Sequence, residues 1–360
     1  MRLHTLFAIV FIAVQLVSTG AEAQKRPEKA NKAGKAANRA TGVPYATRPD
    51  VLDAAADMAQ RRDLDAAWVR QALAQARRLP LVQRLVLPPP VGTPKNWRAY
   101  RVRFIEPKRV DAGVRFWATH RDTLERAERE YGVPAEIIVG IIGVETIYGQ
   151  NTGSFRVIDA LATLAFDFPA AHPRAADRAA FFRSELEQFL SLQSRLGADP
   201  LKPLGSYAGA MGLPQFMPSS RVKYAVDFDG DGVIDLSVSP ADAIGSVASY
   251  FKAFGWKTGQ PETYPVRFDA ARLDRDALLA PDILPTFSVA TFTAKGAVLE
   301  GDALQHTGPL ALVELQNGDE PPSYVAGTEN FYVITRYNWS SYYAMAVIEL
   351  GRAVKAAMVR

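Results

Sequence analysis

The chain has 360 residues, with 42 Lys and Arg against 38 Asp and Glu for a net charge of +4, and is 48% hydrophobic and 22% charged. That is an ordinary globular composition, long enough for two or three lobes, and no basic stripe interleaved with aromatics points to nucleic acid. Cysteine is absent, which excludes a disulfide framework, a thiolate zinc site and a cysteine nucleophile, while four scattered histidines support neither a metal cluster nor a histidine-based triad.

In chain order, Arg2 precedes an apolar run from Leu6 to Val14, and Ala21, Glu22 and Ala23 form a small-x-small cleavage site. Residues 1–23 therefore read as a secretory signal peptide, with an uncleaved anchor as the alternative. Residues 24–48 read as a basic flexible linker, since Lys25, Arg26, Lys29, Lys32, Lys35 and Arg39 face only Glu28 and no apolar period is present. Residues 49–110 form the next unit, alanine- and leucine-rich with helical period over 50–86, and Pro88, Pro89 and Pro90 interrupt it. Residues 111–256 are helical again and hold the candidate chemistry. From 257 to 326 the character turns to β, with 289–293 and 310–315 as strand candidates. Residues 327–360 are expected to return to the core, with helical spacing at Tyr342–Met358. The order predicts a mainly α (α+β) protein in which a small β-rich subdomain is inserted into a helical enzyme.

Glu145 stands out within 111–256. It ends the run Ile137 to Val144, and Ile138, Ile141 and Ile142 share its helical face. A helix apolar all round is buried, and an ionised carboxylate there costs several kcal/mol unless it is paired or stays protonated. A carboxylic acid kept neutral near pH 7 is what a general acid requires. A structural glutamate tied to a buried arginine or to backbone amides is the alternative. Gly132 closes the preceding helix, and Gly149 is expected to close this one, placing Glu145 in the last turn beside a possible cleft. Asp159 and Asp167 are the next aspartates, and neither lies in a recognisable motif as a second carboxylate.

The stretch YGVPAEIIVGIIGVETIYG at 131–149 resembles the catalytic helix of the lytic murein transglycosylase B family. GSYAGAMGLPQFMPSS at 205–220, DFDGDG at 227–232 running on to DAIGSVASYF at 242–251, and TRYNWSSYYA at 335–344 match further blocks in family order. With weaker similarity between, the resemblance spans about residues 50–355. It implies a lysozyme-like core at 111–256 with an additional helical subdomain and a small β-rich subdomain. It also implies cleavage of the MurNAc-GlcNAc β-1,4 bond of peptidoglycan without water, leaving 1,6-anhydro-MurNAc ends. Glu145 would act as acid and then base, assisted by the muramyl acetamido group.

By the same resemblance Ser206 and Asn338 would hold the acetamido group or the acid, and Gln215, Phe216 and Met217 would line the cleft. Tyr100, Tyr250, Tyr337 and Tyr343 would offer ring faces and hydroxyls to sugars, with a core role open for each. Leu213 and Pro214 stand where some members have an aromatic and a glycine, so stacking is not implied there. Peptidoglycan glycan strands are the expected partner, wall-synthesis proteins a further one, and nucleic acid none. The protein is expected to be monomeric and periplasmic, without the lipid-attachment cysteine that some members carry. A hydrolytic muramidase would need a second carboxylate, and a non-catalytic murein-binding protein would not need Glu145.

Asp227, Asp229 and Asp231 alternate ahead of Gly232, Val233 can offer a carbonyl, and Asp235 takes the ninth position, as in an EF-hand loop. Val238 replaces the closing glutamate, and Asp242, matched by the family block, is the substitute. One structural Ca2+ on Asp227, Asp229, Asp231, Val233 and Asp242 is expected, with no organic cofactor. A solvated Asp-Gly turn is the alternative.

Overall fold

A computed structural model describes residues 42–90 and 92–359, so the expected signal peptide lies outside the described residues. The expected linker does not extend to residue 48. Val43–Pro44 form strand β1, and Tyr45 is buried, its hydroxyl donating to Asp167 Oδ2 at 2.6 Å. A single anchoring tyrosine ties in a short segment whose local composition resembles a tether.

β1 pairs antiparallel with β2 (Arg77–Arg78) around helices α1 (Pro49–Arg62) and α2 (Ala66–Gln75). α1 starts on a proline, whose missing N–H would be unpaired there anyway, and Asp65 caps α2 by accepting from Trp68 N at 2.7 Å. α3 (Pro80–Leu85) and α4 (Trp97–Arg101) lead to α5 (Pro107–Thr119), α6 (Arg121–Tyr131) and α7 (Ala135–Thr146), the helix that carries Glu145. β3 (Phe155–Arg156) and β4 (Leu204–Gly205) pair across α8 (Val157–Phe166) and α9 (Ala175–Arg195). α10 (Pro218–Tyr224) and α11 (Pro240–Ala253) flank the acidic loop.

The β-rich part contains β5 (Thr263–Pro265), β6 (Arg267–Phe268), α12 (Arg275–Leu279), α13 (Val289–Ala294), β7 (Ala297–Val298), β8 (Ala311–Asn317) and β9 (Glu320–Gly327). β5, β9 and β8 form an antiparallel sheet in that order. The strand expected at 310–315 is β8, but residues 289–293 are helical. Ser288 caps that turn by accepting from Thr291 N, Thr293 bonds back to Val289 O, and Phe292 is fully buried. A cap and one buried ring outweigh the β-branched composition. α14 (Glu329–Tyr337) and α15 (Ser341–Met358) complete the chain.

Three cores result, and they cross the expected boundary at 110/111. α1, α2 and α3 share a core with α8 and α9, whereas Trp97 and Phe104 pack with α6, α7, α11, α14 and α15. The third core lies within the β-rich part around Leu278, Phe292, Leu310, Leu312 and Ala326. α15 crosses α7 at very short range. A Cβ on Gly140 would stand 2.3 Å from Val347 O, and one on Gly351 2.1 Å from Glu136 O, so both positions require glycine.

Candidate active site

Ile137 to Val144 are all buried, as a helix apolar on every side must be. α7 ends at Thr146, and the left-handed turn begins earlier than expected. Ile147, Tyr148 and Gly149 have φ of 53, 56 and 86°, so the capping residue is Ile147. A β-branched residue at positive φ is strained and must be held from outside. Thr146 supplies part of that restraint, its Oγ1 donating to Leu213 O at 2.9 Å and accepting from Gly149 N at 3.0 Å. Arg109 supplies another part. Its buried guanidinium donates to Gly143 O at 2.7 Å, which also accepts from Ile147 N at 3.2 Å, and to Val144 O at 3.4 Å, a carbonyl that the helix end leaves without a backbone donor. Nothing in the sequence marked Arg109 as buried, because a surface arginine reads the same.

Glu145 therefore sits on a fixed turn with one partly exposed edge. Tyr343, on the first turn of α15, donates its hydroxyl to Glu145 Oε1 at 2.5 Å. Burial raises the Glu145 carboxyl to about 7, against the smaller opposing effect of the Tyr343 hydrogen bond, which favours the carboxylate. Tyr337 stacks on Tyr343 with ring centres 6.4 Å apart, and its hydroxyl donates to Pro214 O at 2.5 Å. The charge of Glu145 also pushes the hydroxyls of Tyr100, Tyr337 and Tyr343 upward, behind the larger effect of burial. The three tyrosines thus gather around the carboxyl, and Tyr100 remains partly exposed.

Other expected site residues have different work. Phe216 and Met217 are buried in separate cores and do not line a cleft. Tyr250 is likewise core, with its hydroxyl on Arg336 O at 2.6 Å and its ring against Tyr337. Gln215, at φ 51°, spends its amide nitrogen on Thr152 O and Gly212 O, joining two loops. Ser206 Oγ accepts from Ala208 N and Ala210 N, which leaves its hydrogen to donate. Asn338 is buried where α14 ends, directly after Tyr337. Asp159 is paired with Arg156 and accepts from Arg77 N, and Asp167 is paired with Arg48, so both carboxylates are engaged in ion pairs.

In the acidic loop, carboxylate oxygens of Asp227, Asp229 and Asp242 lie within 4.8 Å of one another. Asp231 stands outside that group, with its Oδ1 on Val233 N at 2.8 Å. Asp242, in the first turn of α11, is fully buried. Its two oxygens accept from Phe228 N and Asp235 N, both at 2.7 Å. Asp227 accepts from Gly230 N and Gly232 N, which folds the loop back. Three converging carboxylates make an all-oxygen donor set suited to a hard divalent cation.

Residues 47–352 match the family described as Transglycosylase SLT domain. The chain is 42% identical over 329 residues to membrane-bound lytic murein transglycosylase B of Escherichia coli K12, covering 89% of this chain and 86% of that protein. The Escherichia coli lytic transglycosylase Slt35, solved in complex with bulgecin A and in complex with calcium, superposes with a TM-score of 0.77 at 42% identity, over 89% of this chain and 96% of that one. Pseudomonas aeruginosa SltB3, solved with NAG-anhNAM-pentapeptide, gives a TM-score of 0.70 at 31% identity, over 84% of this chain and 78% of that one. A lysozyme-like helical fold, one carboxyl on a buried helix end and this degree of likeness lead to one conclusion: the chain belongs to the SLT-domain lytic transglycosylases, enzymes that act on peptidoglycan.

Proposed function

We propose that Glu145 is the lone acid and base in a water-free cleavage of the MurNAc-GlcNAc β-1,4 bond. The observation that carries this reading is a carboxyl raised to about 7 by burial and held by a single tyrosine. Protonated Glu145 donates its proton to the glycosidic oxygen, and the bond from that oxygen to the muramyl C1 breaks. The muramyl acetamido carbonyl stabilises the positive charge left on C1. The Glu145 carboxylate, steadied by Tyr343, then takes the proton of the muramyl C6 hydroxyl as that oxygen closes on C1. The acid is regenerated, no water is consumed, and the new end is a 1,6-anhydro sugar. Tyr100 offers a ring at the open side, and Ser206 and Asn338 are the candidates to hold the acetamido group. The anhydro sugar bound by SltB3 is the product type this route predicts.

Muropeptides released from purified murein test the route, because anhydro ends are lighter than hydrolysed ends by one water. Products at the hydrolysed mass would refute it in favour of a muramidase.

We also infer that Asp227, Asp229 and Asp242 hold one Ca2+ that supports the fold and takes no part in the chemistry, a reading supported by the calcium complex of Slt35. The bound ion would close the loop onto α11. No helix among the described residues is long and apolar enough to cross a membrane. With the apolar leader and no cysteine to lipidate, we infer export to the periplasm as a mature chain starting near Gln24. Recovery of Met1 by N-terminal sequencing of the membrane fraction would refute that.

A further inference from the structure

A groove of about 630 Å³ opens between α2 and the C-terminal end of α9, within the range of small-ligand sites. It belongs to the core that α1, α2, α8 and α9 share, and none of the residues placed at the cleft lines it. On α2, Trp68, Gln71 and Gln75 follow at spacings of three and four, so one helical face presents an indole and two amides to the groove. From α9 comes Gln193, 3% exposed, whose side-chain amide has no hydrogen-bond partner among the described residues. Gln75 Nε2 reaches only the Gln71 carbonyl, at 3.4 Å. An amide without a protein partner on the wall of a groove is open to be met by water or by a ligand's polar groups.

The charges on the walls narrow what that can be. Asp65 and Asp199 line the groove, and no lysine or arginine does. Oδ1 of Asp65 is spent on Trp68 N and Oδ1 of Asp199 on Leu201 N, which leaves each aspartate a second oxygen to accept from hydroxyls. Phosphates and peptide carboxylates are repelled. A flat indole face suits the C–H side of a pyranose ring, and glutamine amides, donor and acceptor at once, suit hydroxyl and acetamido groups. We propose that this groove is a second saccharide site that grips a neutral, N-acetylated stretch of glycan away from the cleft. The choice of ligand rests on the peptidoglycan-directed activity above, and the groove would hold the strand on which the cleft works.

Chitotetraose, the tetramer of N-acetylglucosamine, titrated calorimetrically into the full-length E145Q protein tests this directly. Two classes of site are expected, one of them lost in E145Q/W68A and weakened at least fivefold by Q193L. Because Trp68 is partly buried and Gln193 buried, Q71A and Q75A on the exposed face provide a second route and should each weaken the same class. With the active enzyme, W68A should raise KM for intact sacculi about tenfold and leave kcat on a short soluble fragment unchanged. A single class of site indifferent to all four substitutions would overturn the proposal, as would binding of a stem tetrapeptide in place of the sugar. Failure of the acid assignment is read separately, as murein cleavage that persists in E145Q.

Discussion

Replacing Glu145 by Gln separates the two consequences of burying that carboxyl. The amide keeps the shape and an oxygen to accept from Tyr343, but loses the proton. Murein cleavage should fall by about two to four orders of magnitude, the usual worth of general acid-base catalysis. Stability should move the other way, with a sign that follows from proton counting. The folded carboxyl titrates at about 7 and the unfolded one near its usual 4.5, so between those values the folded state binds more protons. Stability of the parent therefore declines as pH rises from about 4.5 to about 7 and stays low above it. At about 1.36 kcal/mol per pKa unit the loss is a little over 3 kcal/mol, and allowing for water at the exposed edge leaves about 2–3 kcal/mol. The variant has no such term. Urea unfolding at pH 4 and pH 8 should give near-equal stabilities at pH 4 and a lead of that size for E145Q at pH 8. Parallel pH curves for the two proteins would refute the buried-acid reasoning, whatever the activity showed.

Tyr343→Phe removes the one hydrogen bond that favours the carboxylate, so the alkaline limb of the rate profile, set by loss of the Glu145 proton, should move to higher pH while kcat falls about tenfold. A pH-rate profile with an unmoved limb would contradict that placement. Millimolar calcium should raise Tm and a chelator reverse it; Asp227→Ala should abolish that rise and Asp231→Ala keep most of it, because only the first belongs to the converging carboxylates. Arg109→Met removes a buried charge-assisted donor from Gly143 O, leaves the Val144 carbonyl unpaired, and should cost about 1–3 kcal/mol in urea unfolding. A loss within 0.5 kcal/mol, the scatter typical of surface changes, would show that the clamp is idle.

How much of this was legible in the sequence depended on whether a signal is local. The buried helix, its lone glutamate and the Asp-Gly loop are written in consecutive residues, the β-rich insertion followed from the order of elements, and the lysozyme-like core from the family resemblance. The partition of the cores was not legible, because α1 and α8 are joined across about a hundred residues by side chains that carry no shared pattern. The aromatics divided in the same way. Tyr343 and Tyr250 have the same composition cues, yet one faces the carboxyl and the other a backbone carbonyl deep in the core. The strand expected at 289–293 failed for a neighbouring reason, since a serine cap and the burial of Phe292 decided what propensity could not.

Glu145 and Tyr343 are 198 positions apart in the chain, and α15 reaches α7 only by seating Gly351 and Gly140 against backbone. The cost of closing so long a loop is met only when the final helix docks, and contacts of such wide sequence separation form late in folding. Until α15 docks, the chain thus carries Glu145 but lacks its tyrosine and one wall of its surroundings. The surroundings of Glu145 are therefore joined from two helices far apart in sequence, and its tyrosine partner is in place only once α15 lies against α7.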